Sequence, residues 1–195
     1  MSTPSVVSGS RSLVIDCPPW VEEVVAGFAS PLADDEARMA LTVRLSEENV
    51  ARGGGPFGST VFLEERLIAA GVNCVLASGF SIAHAEIIAL MRAQAVLGCA
   101  VTVSAPPLLL FASTEPCCQC FGALVWAGVR GLVCGATSAD AEAIGFDEGP
   151  KPDGWATLLE ARGISVRQGV LRAEAQRVLR EYGARGGLIY GKSRP

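Results

Sequence analysis

Residues Ser113-Thr114-Glu115-Pro116-Cys117-Cys118-Gln119-Cys120-Phe121-Gly122 decide how the rest of the chain is read. Pro116 suits a first helical position, because its missing N–H would be unpaired there and its φ is already helical. Cys117 and Cys120 then fall on one face of the first turn, with both sulfurs able to reach one ion. The partial positive charge of a helix N-terminus favours thiolate over thiol. Just upstream, Leu108 to Ala112 is the continuous apolar run of a buried strand, ending where a site would begin. The chain's single histidine opens a second helical stretch, His84-Ala85-Glu86. Two thiolates and one imidazole form a tetrahedral zinc set with the fourth position open, as catalytic sites keep it.

H-x-E followed by P-C-x-x-C is a zinc-deaminase signature, in which the glutamate shuttles protons and does not bind the metal. A lone C-x-x-C would equally serve a redox pair or half of a structural zinc site, and a lone histidine is ordinarily a packed residue. Both halves together, each opening a helix, select the deaminase-type site. Displacing an exocyclic amine from an aromatic ring needs a hydroxide near neutral pH, which zinc supplies by lowering the pKa of water. Residues two apart on a helix do not share a face, so Glu86 need not join His84 in the coordination shell. It is the candidate for moving protons between water, a ring nitrogen and the departing amine. A zinc site of purely structural purpose would not need that base.

The flanking chain reads as one α/β domain. Residues 1–16 form an expected flexible N-terminus, and 17–195 a single deaminase domain with a C-terminal helix and closing tail. Pro18 to Phe28 and Asp34 to Asn49 read as helices, the second capped by Asp34 or Asp35, with Met39, Leu41, Val43 and Leu45 as apolar contacts. A glycine-rich turn, Gly53-Gly54-Gly55-Pro56-Phe57-Gly58, leads into Ser59–Leu63 and Leu67–Val75, expected as a hairpin. His84 to Leu97 is expected to bury Ile87, Ile88, Met91 and Ala95 as one stripe. The cysteine helix runs to Ala127, and Gly131 to Ala136 is another buried strand. Helices at Ala139–Ile144 and Gly154–Arg162 and a fifth strand at Ile164–Val170 follow. An amphipathic helix from Leu171 to Tyr182 and the apolar hook Leu188-Ile189-Tyr190 end the pattern. Alternating strands and helices in the second half imply parallel pairing with right-handed crossovers, hence a mixed, helix-covered sheet.

Composition narrows the partners. A net charge of −4 and a pI near 5.1 argue against nucleic acid, since phosphate binding wants a basic face. Seven cysteines without framework spacing fit a reducing, cytoplasmic setting. No apolar run approaches membrane-spanning length.

Taken together, His84-Ala85-Glu86, Gly54-Gly55-Pro56-Phe57-Gly58, Cys117 to Cys120 with Trp126 after it, and Ala143-Ile144-Gly145-Phe146-Asp147-Glu148 resemble the guanine-deaminase branch of the cytidine deaminase superfamily. The likeness runs from about Gly53 to Glu148. It implies a cytidine deaminase-like three-layer α/β/α fold with a mixed five-stranded sheet and one zinc ion per subunit. It also implies a homodimer whose C-terminal segments are exchanged to close the partner's site. Carried over residue by residue, His84, Cys117 and Cys120 would hold the metal, and Glu86 and Glu148 would be catalytic. Asn73, Phe57, Trp126 and Ala85 would contact the substrate, a small nucleobase or nucleoside. Two positions depart from the family pattern: Phe80-Ser81-Ile82-Ala83 replaces an Asp-Pro-Thr run before the histidine, and Cys118 stands between the two ligands. Guanine-type bases are therefore the expected substrates. Cytosine or another amino-heterocycle is the alternative, followed by the adenosine of a tRNA.

Overall fold

The computed structural model describes residues 16–28, 31–98 and 107–190, and the expected flexible segment before Asp16, like Cys99, lies outside them. Strands β1 (Gly58–Leu63), β2 (Arg66–Val72), β3 (Leu108–Thr114), β4 (Val129–Ala136) and β5 (Ser165–Arg167) form one sheet in the order β2-β1-β3-β4-β5. β1 pairs antiparallel with both β2 and β3, whereas β3, β4 and β5 run parallel, so the sheet is mixed as expected. Successive strand residues point to opposite faces. Phe62, Phe111 and Val133 therefore enter one core layer, and Val61, Leu110 and Leu132 the other.

On the first face lie α1 (Trp20–Ala26), α2 (Asp35–Ala51) and the amphipathic α8 (Arg172–Ala184). Asp34 caps α2 by accepting from the Ala37 N–H. On the second face lie α4 (Ala85–Leu97), α5 (Cys118–Ala127) and α7 (Trp155–Glu160). The short α3 (Val75–Ser78) and α6 (Ser138–Glu142) sit at the connections.

Three expectations need correction. β2 stops at Val72, not Val75, because Asn73 Oδ1 accepts from the Val75 N–H and turns the chain into α3. The stripe assigned to α4 is rotated: Ala85, Ile88, Ala89, Leu90 and Ala93 are buried, and Met91 is 52% exposed. The cause is Gly71 on β2, where a Cβ would stand 2.6 Å from Ala89 N, so the helix seats its small residues against bare backbone. Pro116 lies two residues before α5, with Cys117 as the N-cap in extended conformation. The cap and the third helical residue still face one another, so both sulfurs keep their common direction.

Candidate active site

Two helix starts converge beyond the ends of the central strands. His84 is the N-cap of α4 and Cys117 that of α5, and Cys120 lies one turn in. His84 Nδ1 is 3.4 Å from Cys117 Sγ and 3.6 Å from Cys120 Sγ, and the three donors all lie within 4.8 Å of one another. Zn–N of about 2.0–2.1 Å and Zn–S of about 2.3 Å at a tetrahedral angle give an N···S separation of about 3.6 Å. The donor set therefore fits zinc in kind and in spacing. Hydrogen bonds from Cys120 and His84 draw the Cys117 thiol down to about 4, while Cys120 is held well above its ordinary value. Metal binding requires both thiols as thiolates, so loading the site would release protons.

One cavity opens onto this trio through His84 and Cys117. About 620 Å³ of empty space, open solvent at its mouth included, lies between its walls. Glu86, from the first turn of α4, is buried at its floor, and burial together with the nearby Cys117 thiolate raises its carboxyl above the ordinary value. Asn73 lines one wall. Its Oδ1 is taken by the Val75 N–H at 3.2 Å, and its Nδ2 finds no acceptor among the described residues. Phe57 lines the same side, edge-on to Phe146 with ring centroids 5.0 Å apart.

Glu148 stands opposite, on a loop tied to α5 by the Cys118 N–H donating to its carbonyl at 2.9 Å. Its Oε2 is buried with no hydrogen-bond partner, and burial, then the Cys117 charge, pushes its carboxyl up to about 8. A carboxyl so placed is poised to exchange a proton near neutral pH.

Of the residues expected to contact substrate, Asn73 and Phe57 line the cavity, and Trp126 and Ala85 do not. Trp126 is 76% exposed, because α5 runs away from the site and turns this side chain to solvent. Ala85 is buried against β2, its carbonyl 2.7 Å from where a Gly71 Cβ would be.

Sequence reasoning missed Phe146, Tyr190 and Glu115 as cavity lining. Phe146 was legible as part of the Gly-Phe-Asp-Glu element, but only as a marker. Tyr190 was legible as an apolar hook; it enters the cavity of its own chain, 5.2 Å edge-on to Phe146, with its hydroxyl buried and unpartnered. The hook is held by Tyr182, whose hydroxyl donates to the Leu188 carbonyl at 2.7 Å. Glu115 accepts from the Ser138 N–H and from Gln168 Nε2, with Lys151 Nζ at 3.9 Å. Lys151 also donates to the Pro116 carbonyl at 3.0 Å, bracing the turn that carries Cys117.

Residues 32–136 match the family described as the cytidine and deoxycytidylate deaminase zinc-binding region. A guanine deaminase of Bacillus subtilis (strain 168) is 37% identical over 114 residues, which span 58% of this chain and 71% of the relative. The structure of a guanine deaminase from Nitrosomonas europaea superposes with a TM-score of 0.84 at 46% identity, covering 91% of this chain and all of that one. A structure solved in complex with 2,6-diaminopurine superposes with a TM-score of 0.85 at 48% identity, covering 92% of this chain and 97% of that one.

Proposed function

The chain belongs to the cytidine and deoxycytidylate deaminase family of zinc-dependent hydrolytic deaminases, and on that premise we propose that it deaminates guanine or a closely related 2-aminopurine. One observation carries the reading: a single cavity gathers His84 and Cys117 of the metal trio, the buried Glu86, the free amide of Asn73 and the unpartnered Glu148 Oε2. The relatives named guanine deaminase, and the neighbour solved with 2,6-diaminopurine, support a purine carrying an exocyclic amine.

His84 Nδ1, Cys117 Sγ and Cys120 Sγ would hold the zinc ion. Bound there, it supplies Lewis acidity that makes water nucleophilic near neutral pH. Glu86 takes a proton from the attacking water and delivers it to the ring nitrogen beside the carbon under attack. Water thus adds across the ring C=N bond; loss of ammonia then leaves a carbonyl. Glu148 binds the exocyclic amine through its free oxygen and helps protonate it as it departs. Asn73 donates from Nδ2 to an acceptor on the ring edge, and Phe57 and Phe146 supply the apolar wall for a planar base. Trp126 and Ala85 have no part in this assignment.

The homodimer and cytoplasmic setting belong to the same reading. Unpaired thiols at Cys17, Cys74, Cys118 and Cys134 support a reducing compartment. No helix among the described residues is long and apolar enough to cross a membrane. The seat that Tyr190 occupies in its own chain is equally suited to the tail of a second copy. Acidic charge and an enclosed cavity weigh against a polynucleotide substrate.

Ammonia release measured across guanine, guanosine, cytosine and 2,6-diaminopurine tests the substrate class, with guanine turned over fastest. Turnover of cytosine and of no purine would overturn it. Glu86→Gln should retain one zinc per chain and lose at least about 10²–10⁴-fold in kcat. Loss of the metal in that variant would reassign Glu86 to coordination.

A further inference from the structure

Behind the wall that carries Asn73, three polar side chains of α2 are buried in a row: Thr42, Ser46 and Asn49. Their spacing puts them on one side of the helix. Thr42 Oγ1 meets Thr60 Oγ1 at 2.7 Å, and Ser46 Oγ donates to the Pro56 carbonyl at 2.8 Å. Asn49 Nδ2 donates twice, to the Gly55 carbonyl at 2.8 Å and to the Asn73 carbonyl at 3.0 Å. One amide group therefore bridges the glycine-rich turn before β1 and the residue that ends β2. The two segments are already laced together, the Asn73 N–H donating to Phe57 O and the Phe57 N–H to Gly55 O.

Gly55, at one end of the bridge, is closely approached from the cavity. A Cβ at Gly55 would stand 3.2 Å from Asn73 Oδ1 and nearer still to the Tyr190 hydroxyl, so a shift of either segment alters what Asn73 presents to a ligand. Asn49 itself does not line the catalytic cavity. It borders a separate groove on the far side, with Trp20, Arg52 and Gly54.

We propose that Asn49 is a positioning residue for substrate recognition: through its two donated hydrogen bonds it sets the spacing between the Gly55–Phe57 turn and Asn73. The inference rests on the assignment of Asn73 to the substrate edge. An apolar residue at position 49 would leave the buried Asn73 carbonyl without a donor and the Gly55 carbonyl with the Phe57 N–H alone, and the wall would relax to satisfy them.

A double-mutant cycle separates this role from simple support of the fold. Asn49→Ala should lower kcat/KM for guanine by about 10- to 100-fold, more through KM than kcat, with one zinc per chain retained. In an Asn73→Ala background the same change should cost less than about 3-fold, because the residue it positions is gone. Asn49→Ser, which keeps one donor, should recover part of the loss, and it replaces the alanine variant in the cycle if that variant does not fold. Equal losses in both backgrounds, or no loss in either, would overturn the proposal. A parent protein without guanine turnover would instead overturn the assigned substrate, and hydrogen exchange then tests the positioning role. The amides of Phe57 and Asn73 should lose protection in the Asn49 variant while those of β3 and β4 keep theirs. Unchanged protection at Phe57 and Asn73 would overturn it.

Discussion

One methyl group added to β2 should reach the metal site through α4. A Cβ at Gly71 would stand 2.6 Å from Ala89 N and 2.7 Å from the Ala85 carbonyl oxygen. Comfortable carbon contacts lie near 3.5–4.0 Å, so the α4 backbone must retreat by about 1 Å. No flexible side chain is available to give way, since both clashing atoms are helix backbone. Overpacking of this kind costs about 1–3 kcal/mol. α4 carries His84 at its cap and Glu86 in its first turn, and a misplacement of about 1 Å at reacting groups costs on the order of 10²-fold in rate. Gly71→Ala should therefore lower urea stability by about 1–3 kcal/mol, loosen zinc, and reduce kcat by about 10²-fold. Gly122→Ala is the matched control: the position is inside α5 with nothing within 4 Å of the added carbon. There the methyl should stabilise by about 0.5–1 kcal/mol, because glycine loses more chain entropy in a helix. Urea melts, zinc content and initial rates on the two variants decide the matter. A Gly71→Ala protein as stable and active as its parent would refute the account of how α4 is seated.

Two further predictions use other parts of the molecule. Asp140 accepts from the Thr137 N–H, bidentately from Arg172, and from Gln176, joining α6 to α8; Arg172 foremost, then Thr137 and Gln176, hold its carboxyl well below the carboxylate range. Its folded pKa is the lower one, so its contribution is complete above about pH 4 and is lost as pH falls further. The stability gap between parent and Asp140→Asn, followed by urea unfolding from pH 7 to 3, should shrink below about pH 4, and a constant gap would contradict the linkage. For the tail, a chain lacking residues 186–195 and a Glu86→Gln chain should each be inactive yet recover activity when mixed and refolded together, if copies exchange their tails. No recovery, with both chains folded, would leave Tyr190 serving only its own cavity.

What was legible in the sequence is what short-range geometry governs. Cys117 and Cys120 are spaced by a helix turn, and His84 opens a helix, so their convergence followed from local rules and from a donor set that suits one ion. The hairpin and the parallel crossovers followed from apolar runs and their spacing. The α4 face was misread because a search for large apolar residues cannot see that a glycine on a neighbouring strand invites alanines instead. The buried row on α2 was invisible for the converse reason: Thr42, Ser46 and Asn49 count as polar, and only the carbonyls they meet across the fold explain their burial. Trp126 followed the resemblance and not the helix; the direction α5 takes after Cys120 decides its exposure. Tyr190 was recognisable as too apolar for a free tail, but its target was set by Phe146, forty-odd residues earlier in the chain.

Tyr190 is also the last of the cavity-lining residues to be synthesised. Every strand of the sheet, both metal-binding turns and the Glu148 loop precede it in the chain. A nascent protein that has emerged through β5 already holds all three zinc donors, while one wall of its cavity is still to come. The zinc donors are thus complete in the emerging chain before the last wall of the cavity is.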